Sequence, residues 1–194
     1  MCLCIAAFGF SFNKANAEAE TTITAEQFKL KGASVRYVDD TYSAGVKFHV
    51  LLDETVYSGL SDAAKTGVKL CPTSLLGDED IKTSDNANII DREAKTSGWF
   101  DSVTDTGMKE LVVYVYDIDA KYYGTDIAVV GYIADGELTA YTEIKTASLA
   151  SVAQKAAENE ADDTKKEQLK GYYTFTLNVY NSDKTLKETS SVEY

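Results

Sequence analysis

Residues 127–145 read IAVVGYIADGELTAYTEIK, and this stretch carries the clearest fold signal in the chain. Its opening run, 127–133, is apolar on both alternating faces, which predicts a central β-strand. Asp135-Gly136 then predicts a tight hairpin of type I′, a turn that needs positive φ angles at both central residues. From Leu138 to Ile144, apolar and polar residues alternate, which predicts a strand with one buried and one wet face. The stretch therefore predicts antiparallel β-structure.

The same period of two recurs on both sides of this hairpin. Alternating runs predict half-buried strands at residues 33–37, 46–52 and 173–179, and residues 111–116 predict a second central strand. Residues 68–71 predict a shorter one. Strand and helix patterns do not alternate along the chain, which disfavours a parallel α/β sheet.

Helical signals are fewer, and each starts at a capping residue. Ser148 and Asp53 precede apolar positions at helical spacing, and Thr164 with Glu167 has the spacing of a capping box. The sequence as a whole therefore predicts a mainly β fold, an antiparallel β-sandwich with two or three short helices.

The N-terminal segment has the pattern of an export signal. Residues 1–12 read MCLCIAAFGFSF, and Ala15-Asn16-Ala17 places small residues where signal peptidase requires them. The apolar run is too short to span a bilayer. No Lys or Arg precedes it, so we expect the true start to lie upstream. We predict a signal peptide at 1–17, a single β-sandwich-like domain at 18–194, and a secreted or bacterial cell-surface location.

Composition excludes several classes of function. The 194 residues carry 19 Lys and Arg against 31 Asp and Glu, a net charge of −12. Such a charge repels phosphate backbones and anionic membrane surfaces, so we expect no nucleic acid and no membrane insertion of the mature chain. Removal of residues 1–17 leaves Cys71 as the one thiol, which we expect to be a small buried hydrophobe.

Among metal ions, calcium is the one candidate that the acidic clusters of the sequence suggest. Asp117, Asp119 and Asp126 surround a predicted loop, and calcium prefers carboxylate oxygens presented by flexible loops. We therefore name these three residues as the first choice for a calcium site. A solvated acidic surface is the favoured interpretation, and no other cofactor is expected.

Aromatic residues are the enriched group with functional character, at 13 Tyr, 7 Phe and 1 Trp. Saccharide sites stack sugar faces on aromatic rings, although the same residues also fill cores and strands. The ligand-binding candidates in loops or on wet strand faces are Trp99, Phe100, Tyr122, Tyr123 and Tyr141.

The single histidine, His49, is predicted to lie on the polar face of its strand. A general base needs a nucleophile and an orienting partner, and the sequence specifies neither, so we expect an ordinary exposed histidine. Paired carboxylates leave a small glycan-active hydrolase as a minor alternative.

Four segments, in order, resemble a family of sequences. They are GASVR at 32–36, GVKF at 45–48, LCPTSLL at 70–76 and SLASVA at 148–153. They are similar to an uncharacterised family of secreted, cell-surface-type domains of Gram-positive anaerobic bacteria. The resemblance implies a location and a fold class and no activity. We therefore expect a non-catalytic binding module for glycans or a protein partner, or else an assembly subunit of a surface layer or filament.

Overall fold

The computed structural model describes residues 22–39, 43–180 and 186–194. The predicted signal peptide lies outside these residues, as does part of the Asp39–Thr41 connection. Strands account for 41% and helices for 22% of the structure, so the predicted mainly β fold is confirmed. The strands are β1 Phe28–Arg36, β2 Gly45–Asp53, β3 Lys65–Pro72, β4 Ile90–Ala94, β5 Trp99–Asp101, β6 Met108–Val115, β7 Ile127–Asp135, β8 Leu138–Tyr141, β9 Lys145–Ala147, β10 Thr174–Tyr180 and β11 Leu186–Glu193. The helices are α1 Glu54–Gly59, α2 Thr73–Leu76, α3 Leu149–Asn159 and α4 Asp163–Lys170.

Two antiparallel sheets form the body of the fold. Sheet A has the order β1-β2-β6-β5, and sheet B has the order β4-β3-β7-β8, with β9 also paired to β7. Strands β10 and β11 pair as a separate hairpin. One hydrophobic cluster contains buried residues of both sheets and of α3, so the two layers share a core as in a sandwich. A second cluster, around Cys71 and Ile81, includes β3 and β7 residues on the opposite face of sheet B.

The alternation of β2 shows why these residues form a two-layer structure. Val46, Phe48 and Val50 are buried in the shared core, whereas Lys47 and His49 are half-buried on the outer face. Strand β7 is buried along seven consecutive residues because it is covered on both faces, as the double-sided apolar run predicts.

The hairpin after β7 differs from the predicted turn type. Asp135 pairs with Leu138, so Gly136 and Glu137 form the two-residue loop. Gly136 has φ 60°, whereas Glu137 is not among the residues with positive φ. A type I′ turn is therefore excluded, and a glycine with positive φ at the first loop position is what type II′ requires.

The predicted strand from Leu138 onward is interrupted at Thr142. Its buried hydroxyl accepts a hydrogen bond from the Gly131 backbone N–H (2.9 Å) and donates to the Glu143 carbonyl (2.9 Å). The Thr142 hydroxyl thus takes the place of a backbone carbonyl as the acceptor for the Gly131 N–H. This interrupts the strand, so β8 and β9 are two short strands that pair with the same side of β7. Ile144, predicted to face the core, lies in this break and is exposed.

All three predicted helices are present, and α2 is an additional single turn. Ser148 caps α3 through a reciprocal capping box with Ser151, and the Asp53 carboxylate caps α1. Helix α4 begins two residues earlier than predicted, because the Asp162 side chain accepts from the Lys165 N–H. Among the described residues, none of the helices has the length and apolar character that crossing a membrane requires.

Candidate functional site

The five predicted aromatic ligands lie in different environments. Phe100 and Tyr122 are 46% and 52% exposed. Trp99 is buried, whereas Tyr123 and Tyr141 are half-buried. Phe100, Tyr122 and Tyr141 line three different surface depressions. The structure therefore does not gather the predicted residues into one site.

Trp99 is a core residue. Its side chain is 8% exposed, and its indole N–H donates to the Thr66 hydroxyl across the two sheets (2.9 Å). The Tyr57 ring packs beside it with centroids 5.9 Å apart. The indole ring is buried and its N–H is already hydrogen-bonded, so little of its surface remains to stack on a sugar.

Tyr123 and Tyr141 are anchored by neighbouring parts of the fold. The Tyr123 ring meets Tyr172 edge-on with centroids 5.8 Å apart. Tyr141, predicted to lie on a wet strand face, packs against the second hydrophobic cluster and donates its hydroxyl to the Lys82 carbonyl (3.2 Å). Burial raises the pKa of the Tyr123 hydroxyl, which agrees with its packed position.

Tyr122 belongs to a depression of about 520 Å³ between α2 and the loop that joins β6 to β7. We call it the Tyr122 depression. Its apolar side includes Leu75 and Ile118, and its polar side includes Asp117, Asp119 and Thr125. The Lys121 ammonium lies 4.8 Å from the Tyr122 ring centroid, and the ring remains half exposed. Two of the predicted acidic residues and one predicted aromatic residue thus share one concave surface.

The loop that carries Tyr122 is tied to the body of the domain at several points. Asp117 has φ 58°, and its Oδ1 accepts hydrogen bonds from the Ser43 N–H and hydroxyl (3.1 and 2.9 Å). The Tyr194 hydroxyl donates to the Ala120 carbonyl (2.5 Å), and the Thr73 N–H donates to the Asp126 carbonyl (2.9 Å). These contacts give the Tyr122 depression a fixed frame.

The predicted calcium ligands are not assembled into a metal centre. Asp117 is engaged by Ser43, Asp119 pairs with Lys121 (3.4 Å), and the Asp126 side chain is exposed. Among the described residues, no group of three or more His, Cys, Asp or Glu is placed to hold a metal ion. The loop directs these three carboxylates to protein partners and to solvent, so the structure does not bring them together, and calcium binding by them stays a prediction.

His49 is half-buried and hydrogen-bonded, not the ordinary exposed histidine that the sequence predicts. On the outer face of sheet A, its Nε2 lies 2.8 Å from the Ser34 hydroxyl and its Nδ1 lies 2.7 Å from Glu110 Oε1. The second oxygen of Glu110 accepts from the Ser102 hydroxyl (2.8 Å). A hydroxyl, an imidazole and a carboxylate thus form a continuous chain of hydrogen bonds across β1, β2 and β6.

The ionisation of Glu110 sets the direction of this chain. Burial alone would raise the pKa of the Glu110 carboxyl, but the hydrogen bonds from His49 and Ser102 outweigh it, and the pKa is lowered. An ionised carboxylate can only accept, so the proton of His49 is on Nδ1. The other ring nitrogen, Nε2, faces the Ser34 hydroxyl and can accept its O–H when it carries no proton.

A depression of about 640 Å³ lies over these residues, and we call it the sheet A depression. Its apolar lining includes Phe100, Val103 and Val112, and its cations include Lys47 and Lys155. Neither of these lysines forms an ion pair with another described residue. Lys47 and Lys155 therefore give the sheet A depression a local positive charge, although the chain as a whole has a net charge of −12.

The sequence contains a partial signal for the chain of hydrogen bonds around His49. Alternation places Ser34 and His49 on the polar faces of two successive strands, which an antiparallel pairing brings side by side. Glu110 is 61 residues further along, and no local pattern connects it to His49.

Comparison with known proteins adds no assignment. No family model, no curated protein and no solved structure matches this chain. The resemblance to secreted cell-surface domains therefore remains a prediction.

Proposed function

We propose that this domain is a secreted or cell-surface module that binds a neutral, hydroxyl-rich saccharide in the Tyr122 depression. The observation that carries the proposal is the half-exposed Tyr122 ring beside the carboxylates of Asp117 and Asp119 in one concave surface. Saccharide sites combine an aromatic face for the apolar side of a sugar with polar groups for its hydroxyls. The apolar N-terminal segment and its Ala15-Asn16-Ala17 site support the extracellular location.

The charges of the depression favour a neutral ligand. A carboxylate accepts hydrogen bonds at two oxygens, and Asp117 uses Oδ1 for both bonds from Ser43. Its Oδ2 is the acceptor it offers to a sugar hydroxyl. Two carboxylates in a chain of net charge −12 repel sugar acids, so uncharged hexoses fit the site better than uronic acids do.

A glycan array tests the proposal when wild type is compared with two tyrosine variants. Tyr122→Ala removes the proposed stacking face. Tyr114→Ala is the matched control, because Tyr114 is also 52% exposed but lies on the outer face of sheet A. We expect wild type and Tyr114→Ala to bind the same neutral glycans, and Tyr122→Ala to lose at least about tenfold in affinity, equivalent to about 1.4 kcal/mol.

Two results would overturn the proposal. One is an array on which wild type binds no neutral glycan, and the other is equal binding by wild type and Tyr122→Ala. If the first result is accompanied by concentration-dependent oligomers in sedimentation experiments, an assembly subunit of a surface layer or filament replaces the binding module.

A further inference from the structure

We infer that Ser34 is a nucleophile for carboxylic esters, with His49 as its general base and Glu110 as the residue that positions the imidazole. This activity lies on the outer face of sheet A and goes beyond saccharide binding in the Tyr122 depression. The inference stands on the geometry of three side chains and on the depression into which Ser34 opens.

The distances are those of an activated hydroxyl. Nucleophile and base lie within hydrogen-bond reach when their heavy atoms are about 2.6–3.2 Å apart, with the base held by a third group. Ser34 Oγ and His49 Nε2 are 2.8 Å apart, and His49 Nδ1 and Glu110 Oε1 are 2.7 Å apart. The imidazole therefore uses one nitrogen toward the hydroxyl and the other toward the carboxylate, as this chemistry requires.

Strand register produces the arrangement. His49 is opposite Gly32 in β1 and opposite Val112 in β6, so Ser34 and Glu110 are its diagonal neighbours on the two sides. Glu110 is buried and held by Ser102 as well, so it is a fixed acceptor. Elements of a sheet hold side chains in place better than mobile loops do, so the chain of hydrogen bonds exists before any substrate binds.

Ser34 is accessible to a substrate. It lines the sheet A depression and also the adjoining depression between β1 and α3. Phe100, Val103 and Val112 give the sheet A depression an apolar lining that suits an aliphatic acyl group. Lys47 is directly opposite Ser34 in the register and lines both depressions, so its ammonium group is the charge that β2 offers to a developing oxyanion.

The reaction needs only the ester and water. Ser34 Oγ forms a bond to the carbonyl carbon while its proton moves to His49 Nε2, and the carbonyl electron pair moves onto oxygen. When that pair returns, the carbon–oxygen bond to the alcohol breaks, and the alcohol leaves with the proton from Nε2. Water then attacks the acyl-Ser34 ester, with its proton taken by Nε2, and the acid is released as Ser34 regains a proton. No atom changes oxidation state overall.

The first experiment uses the full chain without substitutions. Incubation with 4-nitrophenyl acetate, butyrate and octanoate is followed by absorbance, and a fluorophosphonate probe is followed by intact mass and peptide mapping. We expect ester turnover above the buffer rate and one probe attached at Ser34. Turnover no faster than buffer with all three esters, or a probe on another residue or on none, would overturn the inference.

Four variants separate a catalytic from a structural role. Ser34→Ala and His49→Gln are expected to lose at least about 10²-fold of the rate, the usual contribution of general-base catalysis. Glu110→Gln is expected to lower the rate and to change its pH profile, a readout that loss of packing alone would not move. Ser58→Ala, in an exposed position of α1, is the matched control and should keep the wild-type rate.

The variants are compared only after far-UV circular dichroism shows that each is folded. Full activity in Ser34→Ala or His49→Gln would contradict the inference. Ser34→Ala is also assayed on the glycan array, so loss of saccharide binding and loss of ester hydrolysis are separate outcomes.

Discussion

The hydrogen bond between Trp99 and Thr66 connects the two layers, and a double-mutant cycle measures it. The Trp99 N–H lies 2.9 Å from the Thr66 hydroxyl oxygen, and both residues are buried. Thr66→Val leaves the indole N–H unpaired in the core, which costs about 1–3 kcal/mol of unfolding free energy. Trp99→Phe removes two ring carbons and the indole nitrogen. Each buried carbon lost costs about 0.8 kcal/mol of unfolding free energy. The substitution also leaves the Thr66 hydroxyl without its partner. We expect about 3–5 kcal/mol for that change.

The informative quantity is the effect of Thr66→Val in the Trp99→Phe background. No partner is then left unpaired, so the second substitution should be neutral or should restore stability. Urea unfolding followed by circular dichroism is the assay, because Trp99 is the single tryptophan and its fluorescence is lost. Thr139→Val, on the exposed side of β8, is the control. Equal costs of Thr66→Val in both backgrounds, within about 0.5 kcal/mol, would refute the bond between the layers.

Three further measurements test the packing or the ionisation of residues in the interior. Gly131→Ala should cost about 1–3 kcal/mol in urea unfolding, because an added Cβ would lie 2.9 Å from Thr142 Cγ2, and wild-type stability would contradict this packing. The pKa of Glu110 is lower in the folded state than its ordinary value of 4.5, so the ionised carboxylate stabilises the fold at higher pH. This stabilisation is lost as the pH falls below about 4.5. Glu110→Gln should therefore make the unfolding free energy less dependent on pH in the acid range. An unchanged pH dependence in that range would contradict that ionisation. Cys71 is fully buried with a raised pKa, so a thiol reagent should label it slowly in buffer and rapidly in urea, and rapid labelling in buffer would place it at the surface.

Periodicity predicted the strands because burial on one face repeats every second residue. Val46, Phe48 and Val50 alternate with half-buried polar residues in β2, and the core receives the residues that the pattern assigns to it. The pattern did not predict the break at Thr142, because apolar and polar residues continue to alternate through this position. The break comes from the Thr142 hydroxyl, which accepts the Gly131 N–H in place of a backbone carbonyl.

Side-chain environments depend on the tertiary fold. Trp99 and Phe100 are adjacent in the sequence, yet pleating turns one into the core and the other toward solvent. Glu110 reaches His49 only through the pairing of β6 with β2, and a shift of one residue in that register would turn the carboxylate to the opposite face. The sequence therefore predicted the layers and did not predict the contacts made across strands.

Residue-resolved NMR locates the saccharide most directly. Amide spectra of the full chain are recorded during titration with a neutral oligosaccharide selected on the glycan array. Binding in the Tyr122 depression predicts shifts concentrated at Ser74, Tyr122 and Thr125, with the outer face of sheet A unaffected. Shifts centred instead on Ser34 and Tyr114 would contradict the assignment, as would a titration without any change.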